Sequence, residues 1–401
     1  MPRPEMKNSS KITAETPNSP KITILGLGLG GMITALSLAK HNISTHIIEG
    51  RAAGGDGFFH DVRTTALTDS SKQFFQQIGV WEKLAELSCP INDIYVADNR
   101  APNLLHFASS ELKKGEKMGY LIENTPFKKA LFEEVSASSL INIMDDTSYE
   151  ITENTPDGCS LLLNGKITHK CDLLLVCDGR GSAARRRYFS ADLEKSYNQN
   201  AITFIAQHEK PHEGSAVEHF LPSGPFAILP LKDQHRSSIV WSVPSDKNDM
   251  LMNLPKDELT HLVQRNFGEF LGEVQIKSEI ASFPLKAYVT KQYYNKRIAL
   301  VADTAHIVHP LAGQGLNQGI KDVQALAELL LEHGIAERVL EKYQTMRKAD
   351  NSNILEITDV INSVFSNDSK LFHSARQLGF AMIESLPPLK NLLIKYAMGR
   401  R

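Results

Sequence analysis

The sequence has almost no net charge. Its 401 residues carry 44 Lys and Arg against 46 Asp and Glu, a formal net charge of −2. So small a charge creates no overall field toward a polyanion, and we expect no nucleic-acid partner. Cysteine is scarce too. The four cysteines show no CxxC spacing and no metal-ligand pattern, which predicts no bound metal and a reducing compartment.

Long apolar stretches are also missing. No run approaches the ~18 apolar residues that a membrane-spanning helix requires. Residues 1–20 are rich in Pro, Ser, Asn and Lys and lack the apolar core of a secretory signal, so we interpret them as a disordered tail. We expect a cytoplasmic protein, with a peripheral contact at the inner face of the membrane as its closest association with lipid.

The order of the apolar patterns predicts an α/β protein. A strand at 22–25, a glycine-rich turn, a helix at 30–41 and a strand at 45–48 are typical of a βαβ unit. Short strands dominate from 201 to 285. We predict a Rossmann-like cofactor domain interleaved with a β-rich substrate domain, and a helical C-terminus. The predicted segments are 1–20 for the tail, 21–90, 118–190 and 290–334 for the discontinuous cofactor domain, 91–117 and 191–289 for the substrate domain, and 335–401 for the C-terminal helices. Individual strands are predicted at 173–176, 226–231 and 297–302, and individual helices at 256–270 and 318–333.

The first glycine-rich turn matches G-x-G-x-x-G at Gly26, Gly28 and Gly31. This motif allows a tight turn and brings the backbone close to a pyrophosphate at a helix N-terminus. Alone it is a weak signal, because glycine-rich turns occur in many folds. Here it follows a strand and opens a helix. Glu49 ends the next strand, where its carboxylate can accept hydrogen bonds from ribose hydroxyls. This context disfavours the alternative of a structural turn with a surface glutamate.

Two further signatures follow in order. One apolar strand ends in Asp178-Gly179, and another ends in Asp303, followed by the loop 313–317, Gly-Gln-Gly-Leu-Asn. An Asp-Gly after a strand is by itself more often only a turn. In this order, however, the carboxylates can reach a cofactor. Backbone N–H groups of the loop, at a helix N-terminus, can stabilise negative charge on a reduced flavin.

Two other patterns carry less weight. His306 and His309 stand at HxxH spacing without carboxylate partners, which favours a structural or flavin-lining role over a metal site. The arginine run 185–187 is best interpreted as a solvated basic face for at least two of its three residues.

Together, the three signatures resemble those of the single-component flavin aromatic hydroxylases, the para-hydroxybenzoate hydroxylase superfamily. Within it, the sequence resembles the ubiquinone-biosynthesis hydroxylases from about residue 21 to the C-terminus. The matching stretches are 61–67, 119–124, 309–322, 347–351, 358–359 and 386–399, of which 309–322 is the most specific. One position departs from the pattern: Ala302 precedes Asp303 where the family usually has glycine.

The resemblance implies a non-covalent FAD cofactor, which makes the cofactor domain an FAD-binding domain, and NADH or NADPH as a transient reductant. Glu49 would bind the adenosine ribose, Arg63 and Asn124 the pyrophosphate or flavin, and Asp303 the ribitol or pyrophosphate. Asp178 would lie near the nicotinamide and flavin paths. The other expected cofactor-binding positions are Gly26, Gly28, Gly31, Pro310, Gly313, Gly315, Leu316 and Asn317. No catalytic residue is identified beyond the flavin.

The implied activity is that of an FAD-dependent monooxygenase, which uses NAD(P)H and dioxygen to hydroxylate the aromatic ring of a polyprenyl phenol in ubiquinone biosynthesis. The single G-x-G-x-x-G argues against two-nucleotide disulfide reductases. The stretch 239–244 lacks the first Trp of the W-x-W-x-I-P motif of halogenases. Three alternatives stay open: hydroxylation of another small aromatic, a prenyl- or quinone-type flavin reductase, and a non-catalytic flavin-binding scaffold of a biosynthetic complex.

Two segments could meet an insoluble substrate. The apolar strand 226–231 is either a wall above the flavin or an ordinary sheet core. Near the C-terminus, helical spacing of apolar residues is combined with positive charge. The apolar positions are Leu389, Leu392, Leu393 and Tyr396, and the basic ones are Lys390, Lys395, Arg400 and Arg401. Such a helix can lie on an anionic membrane surface, or dock on a partner or on the protein's own core.

Overall fold

The computed structural model describes residues 21–98, 104–190, 193–221, 223–308 and 313–365, together with five separate residues near the C-terminus. These five are Leu386, Lys390, Ile394, Met398 and Gly399. The tail predicted at 1–20 lies outside the described residues, and so do the remaining positions of the predicted C-terminal helix.

Helices and strands alternate through the first half of the chain, and strands dominate the middle. The strands are β1 (Ile22–Leu25), β2 (Thr45–Ile48), β3 (Thr64–Leu67), β4 (Ser88–Ile91), β5 (Asp93–Asp98), β6 (Leu104–Ala108), β7 (Gly119–Glu123), β8 (Ile141–Met144), β9 (Tyr149–Asn154), β10 (Cys159–Leu163), β11 (Ile167–Cys171), β12 (Leu173–Val176), β13 (Leu193–His208), β14 (Ser215–Leu221), β15 (Gly224–Pro230), β16 (Arg236–Pro244), β17 (Val274–Ile276), β18 (Ala281–Val289), β19 (Tyr294–Asn295), β20 (Ile298–Leu300) and β21 (His306–Ile307). The helices are α1 (Leu29–Lys40), α2 (Asp56–Phe59), α3 (Asp69–Gln77), α4 (Trp81–Leu87), α5 (Asn124–Ala137), α6 (Ala183–Tyr188), α7 (Ser245–Met252), α8 (Lys256–Phe267), α9 (Gln314–His333) and α10 (Glu337–Phe365).

A mainly parallel sheet has the order β19-β20-β12-β1-β2-β8, with only the short β19 antiparallel to its neighbour. The strands β1 and β12 are buried along their whole length, as expected for uninterrupted apolar sequences in a sheet covered on both faces. Because the carboxyl ends of parallel strands meet at one edge, the turns after β1, β12 and β20 are brought together. These are the turns that carry the three sequence signatures.

The largest sheet has the order β21-β18-β13-β16-β15-β14-β5-β6, and β17 also pairs with β13. One face packs on α8, where Phe204 and Trp241 meet Val263. We call the opposite face, which carries Ala216 and Leu229, the inner face. In this sheet β5 of the segment 91–117 pairs with β14 of the segment 191–289, and β6 pairs with β5, as a substrate domain assembled from both segments requires. The domain boundaries themselves stay a prediction.

The inner face packs on a small sheet of order β3-β7-β4. Leu121 of β7 clusters with Ile205 of β13 and with Leu231, which directly follows β15. The hydroxyls of Thr64 in β3 and Ser238 in β16 lie 2.9 Å apart, within hydrogen-bond distance. The small sheet therefore lies against the inner face through β3 and β7.

The predicted α/β architecture is confirmed, although some element bounds differ from the prediction. The helix predicted from residue 318 begins earlier, at Gln314, because the left-handed Gly313 is its N-cap, with a φ of 61°. The helix predicted to reach residue 270 ends at Phe267, because Gly268 has a φ of 77°.

The alternation of side chains divides the strand predicted at 226–231 between the two interpretations, an apolar wall and an ordinary sheet core. Phe226 and Ile228 belong to the cluster that packs on α8, on the face turned away from the small sheet. Only the alternate positions, Ala227 and Leu229, lie on the inner face. Half of the strand is therefore ordinary sheet core.

Candidate active site

The glycine-rich turn after β1 leaves no room for side chains at two of its glycines. Gly26 has a φ of 97°, and a Cβ on it would lie 2.8 Å from the Cα of Asp178. A Cβ on Gly31 would lie 1.9 Å from the carbonyl oxygen of Gly26. A side chain at either position would force β1, β12 and α1 apart. Both glycines are therefore required by packing alone.

The N-terminus of α1 is open. Gly28 is its N-cap, no side chain caps the helix, and a Cβ on Gly28 would meet no atom within 4 Å. Free N–H groups at the positive end of a helix form a site for an anion such as a pyrophosphate. Glu49 lies beside this turn, where it accepts hydrogen bonds from the backbone N–H groups of Leu27 at 2.9 Å and Arg51 at 3.1 Å. Its carboxylate is thus held next to the first turn of the helix.

Asp178 follows β12 at the same edge of the sheet. Burial raises the pKa of Asp178. The hydroxyl of Tyr149 donates to its Oδ2 at 3.2 Å, while its buried Oδ1 has no hydrogen-bond partner among the described residues. A buried acceptor without a donor costs free energy, so this oxygen marks a place where a bound group could supply one.

Asp303 stands on a turn where the sequence predicted a longer strand. The strand ends early, and Ala302–Thr304 form a 3₁₀ turn. The cause is Ala302, whose φ is 56° and whose N–H donates to Oδ2 of Asp322 at 3.2 Å. The turn leaves the Asp303 side chain 41% exposed, with Nε of Arg180 at 3.7 Å from its carboxylate.

Arg63 and Asn124 are neighbours at the N-terminal end of β3. Nε and Nη2 of Arg63 donate to the two carboxylate oxygens of Asp61 at 2.8 Å and 2.7 Å. Burial would raise the pKa of Asp61, but Arg63 and Lys128 hold it well below its usual value. Asn124 is buried, accepts a hydrogen bond from Oγ1 of Thr65 at 2.7 Å and donates its backbone N–H to the carbonyl of Arg63 at 3.0 Å. The charge of Arg63 is therefore already shared with Asp61.

The N-terminus of α9 is the second open helix end. No side chain caps it, and a Cβ on its N-cap Gly313 would lie 3.0 Å from the Cβ of Ala66 in β3. A Cβ on Gly315 would meet no atom within 4 Å, so the first turn borders open space. Leu316 packs against the main core. Pro310, also predicted to contact the cofactor, lies outside the described residues.

The side chain of Asn317 is fully used within the protein. Its Oδ1 accepts from the N–H of Thr68 at 3.0 Å and the hydroxyl of Ser71 at 2.7 Å. Its Nδ2 donates to the carbonyls of Ala66 and Gly313, both at 2.8 Å. The amide therefore fastens α9 to β3 and α3, which leaves its backbone as the group that could meet a cofactor.

A buried polar cluster behind the third signature was not identified from the sequence. Oδ2 of Asp322 lies 2.5 Å from Nε2 of His306, and its Oδ1 accepts from Nε of Arg347 at 2.7 Å. Arg347 also binds Asp350 at 2.6 Å. Burial alone would raise the pKa of Asp322, but the charges and hydrogen bonds of His306 and Arg347 lower it. The available signal was a charged residue on the apolar stripe of α9.

The arginine run is mostly solvated, as predicted. Arg186 and Arg187 are exposed, whereas the guanidinium of Arg185 lies 4.0 Å from the ring centroid of Tyr288. Tyr288 in turn donates a hydrogen bond to the carbonyl of Asp303. Arg185 is thus part of the support for the third signature.

These features fit a dinucleotide-type flavin. Two uncapped helix N-termini, an unpaired buried carboxylate oxygen and a half-exposed carboxylate are found at the turns that carry the three signatures. The N–H of Gly179 donates to Oγ1 of Thr304 at 3.0 Å, which ties the second signature to the third. This arrangement offers places for a pyrophosphate at α1, a sugar at Glu49 and a ring at α9.

Comparison with known proteins agrees with this geometry. Residues 20–358 match the family described as FAD binding domain. The chain is 35% identical over 401 residues to ubiquinone hydroxylase UbiL of Rhodospirillum rubrum, covering 97% of this chain and 91% of that protein. It is 30% identical over 388 residues to 3-demethoxyubiquinol 3-hydroxylase of Escherichia coli, covering 94% and 98% of the two chains. The solved structure of p-nitrophenol 4-monooxygenase PnpA from Pseudomonas putida DLL-E4 shares the fold, with a TM-score of 0.78, 14% identity and coverage of 96% and 99%.

The family match spans most of the chain and includes all three signatures, and the two relatives are similar along nearly their full lengths. The resemblance predicted from the motifs is therefore confirmed. The chain belongs to the FAD binding domain family and is an FAD-dependent aromatic-ring hydroxylase.

Proposed function

We propose that this hydroxylase uses NAD(P)H and dioxygen to hydroxylate the ring of a polyprenyl phenol in ubiquinone biosynthesis. The observation that carries the proposal is the 35% identity to a ubiquinone hydroxylase over 97% of this chain. Similarity of that extent includes the large sheet as well as the cofactor turns. It therefore bears on the substrate as well as on FAD.

For the cofactor, we assign the pyrophosphate to the open N-terminus of α1, with Gly26, Gly28 and Gly31 shaping the turn, and the adenosine ribose to Glu49. The support is the lack of a side-chain cap and the free space at Gly28. Arg63 would approach the pyrophosphate or flavin as part of its pair with Asp61, and Asn124 would contribute beside it. These roles follow the matched positions of the family.

At the ring end, Asp303 would hold the ribitol, and the backbone from Gly313 through Gly315 and Leu316 to Asn317 would face the isoalloxazine. Asp178, with its unpaired Oδ1, would lie near the nicotinamide path. The chemistry that the cofactor supplies when bound is reduction by NAD(P)H and activation of dioxygen. The protein contributes orientation of the phenol and exclusion of water, for which the inner face is the wall opposite β3.

The polyprenyl chain requires a source of substrate, either a membrane surface or a biosynthetic complex. No helix in the described part of the chain is long and apolar enough to cross a membrane. Ile394 and Met398 are buried, and Lys390 pairs with Glu111 at 3.1 Å, which favours docking of the C-terminal segment on the protein's own core. Contact with an anionic membrane or a partner remains our proposal for the apolar positions 389, 392, 393 and 396, which lie outside the described residues.

Isotope labelling tests the monooxygenase reaction directly. With ¹⁸O-labelled dioxygen, NAD(P)H and a farnesylated phenol, we expect one labelled oxygen atom in the hydroxylated product. Oxygen uptake should require the phenol and match product formation. Label from water, or turnover without oxygen uptake as in a prenyl reductase, would contradict the proposal.

A further inference from the structure

One acidic side chain lies where the sheet alternation would place an apolar residue. Glu218 is in the middle of β14, opposite Ala227 of β15 and Val96 of β5. Its neighbour Val217 packs on the α8 side. Because successive side chains of a strand point to opposite faces, Glu218 lies on the inner face, next to Ala216.

The surroundings of Glu218 offer it no partner. The pairing residues on its row, Ala227 and Val96, are apolar, and so is Leu229 on the same face. No hydrogen bond or ion pair of Glu218 is found among the described residues, and burial alone raises its pKa to about 8. The residue nevertheless keeps some accessible surface. Glu218 is therefore a partly accessible carboxylate on the inner face that has no partner among the described residues.

A second unpartnered polar group lies on the same row of the sheet. The row runs Thr203, Val240, Ala227, Glu218 across β13, β16, β15 and β14. The hydroxyl of Thr203 is buried and has no hydrogen-bond partner among the described residues. Three strand spacings separate Thr203 from Glu218, about 14 Å. Two polar groups without hydrogen-bond partners on one face of a sheet indicate a binding site for a ligand whose own polar groups pair with them.

The rows on either side contact Arg63, which the proposed function assigns to the cofactor, and its neighbour Thr64. In the preceding row, Ser238 meets Thr64 of β3. In the following row, Phe283 pairs with Ala201, and the guanidinium of Arg63 lies 5.3 Å from the Phe283 ring centroid. The row of Glu218 thus lies between a row that contacts Thr64 from β16 and a row that contacts Arg63 from β18.

We propose that Glu218 is a catalytic residue that binds the ring hydroxyl of the phenol and accepts its proton. The inference rests on the proposed function and adds a residue role to it. In this step the phenol O–H bond breaks and an O–H bond forms on the Glu218 carboxylate, with no change in oxidation state. The phenolate left behind is richer in electrons at its ring carbons, which favours transfer of an electrophilic oxygen atom to them. The proton leaves Glu218 for solvent after product release.

The protonation behaviour of Glu218 suits this role. A carboxylate of ordinary pKa is a poor match for a phenol, whose pKa is near 10. Raising the pKa of the carboxyl group to about 8 brings it closer to the pKa of the phenol, which favours proton transfer between them. No ionisable side chain stands beside Glu218 on its row in β5 or β15, so its titration should be governed by burial.

Substitution of Glu218 by Gln tests the inference, because the amide keeps the shape and removes the base. With a farnesylated phenol we expect kcat to fall by about 10²-fold or more. In the parent protein kcat/KM should rise with pH through about 8, and this rise should vanish in Glu218→Gln. Ultraviolet difference spectra of the bound phenol, which need no turnover, should show phenolate in the parent and neutral phenol in the variant.

Two further variants complete the test. Glu218→Asp should restore part of the rise with pH, whereas Glu258→Gln, on the exposed side of α8, should behave as the parent. Parent-like kcat and spectra in Glu218→Gln would overturn the inference. So would loss of flavin or of folding in that variant, since either would assign Glu218 a structural role. Labelled oxygen in the parent's product tests the proposed function separately.

Discussion

The backbone of Ala302 is the most unusual feature of the third signature. Its φ of 56° is left-handed, a conformation that costs an L-residue about 1–2 kcal/mol. Its methyl group fits because two glycines face it. A Cβ on Gly319 would lie 2.7 Å from the Ala302 Cβ, and one on Gly30 would lie 3.4 Å from it. The family usually has glycine at this position because glycine adopts the left-handed conformation without strain. This chain has alanine there, and the strain lowers its free energy of unfolding.

Ala302→Gly should stabilise the protein. We expect the free energy of unfolding to rise by about 1 kcal/mol, because glycine adopts the left-handed conformation without strain. Flavin occupancy should not change.

At the adjacent position, Asp303→Ala should strip flavin absorbance from a protein that remains folded, because the exposed carboxylate is assigned to the cofactor. Chemical denaturation and the absorbance spectrum measure the two effects.

Ala305→Gly is the matched control for Ala302→Gly. Ala305 lies at the end of the same turn but has an ordinary right-handed conformation, with φ −85° and ψ −35°. Glycine there should lower stability, by about 1 kcal/mol, through the added freedom of the unfolded chain. An equal effect of both substitutions would show that backbone strain at Ala302 is not the cause.

The helices α9 and α10 are joined by the buried cluster around Asp322. Arg347 from α10 and His306 from β21 both bind this carboxylate, and Ala302 donates its N–H to it. Asn351 adds a donor at 3.3 Å. Removing one member of a buried ion pair leaves a charge without compensation, which is more damaging than losing a surface pair. The cluster therefore positions the third signature from behind.

Arg347→Met should lower the free energy of unfolding by about 3–5 kcal/mol, because it leaves Asp322 buried without its main cation. Arg338→Met on the same helix should have little effect, since Arg338 is exposed. Urea denaturation of the two variants measures the difference. A loss below about 1 kcal/mol in Arg347→Met would mean that the cluster does not stabilise the fold.

The same cluster sets a pH dependence with a definite sign. The pKa of Asp322 is lower in the folded state than in the unfolded chain, because His306 and Arg347 outweigh burial. Its stabilisation is therefore fully present above the unfolded-state pKa, near 4, and is lost as the pH falls through the folded-state pKa. In Arg347→Met this loss at low pH should be smaller.

The small sheet, the large sheet and the C-terminal segment share one apolar cluster. Ile394 and Met398 pack with Ile91 of β4, Met118 and Ala216 of the inner face. The N–H of Ser70 donates to the carbonyl of Met398 at 3.4 Å. The last described residues thus close the side of the molecule on which Glu218 lies.

Ile394→Lys should destabilise the protein by about 3 kcal/mol, because it buries an unpaired charge in this cluster. Leu386→Lys is the control, since Leu386 is 46% exposed. Thermal unfolding and sedimentation with anionic vesicles should be measured together. If Ile394→Lys keeps its stability and loses vesicle binding, the segment faces lipid and not the core.

The cofactor turns could be predicted from short stretches of sequence because their requirements are local. The φ of 97° at Gly26, the contact of a Cβ on Gly31 with the carbonyl oxygen of Gly26, and the uncapped helix start all involve residues close together in the chain. The parallel strands β1 and β12 were recognisable because burial on both faces demands an uninterrupted apolar run. Cofactor class and α/β architecture follow from these local rules.

Other features depended on packing between distant segments. Alternation shows that Phe226 and Ala227 lie on opposite faces, but only the positions of α8 and the small sheet decide which face packs on which element. The amide of Asn317 is used by Thr68 and Ser71, far away in the chain. The position of Glu218 could not be predicted from the sequence for the same reason. In the sequence a carboxylate on a strand is an ordinary surface group, and only the tertiary structure buries it without a partner.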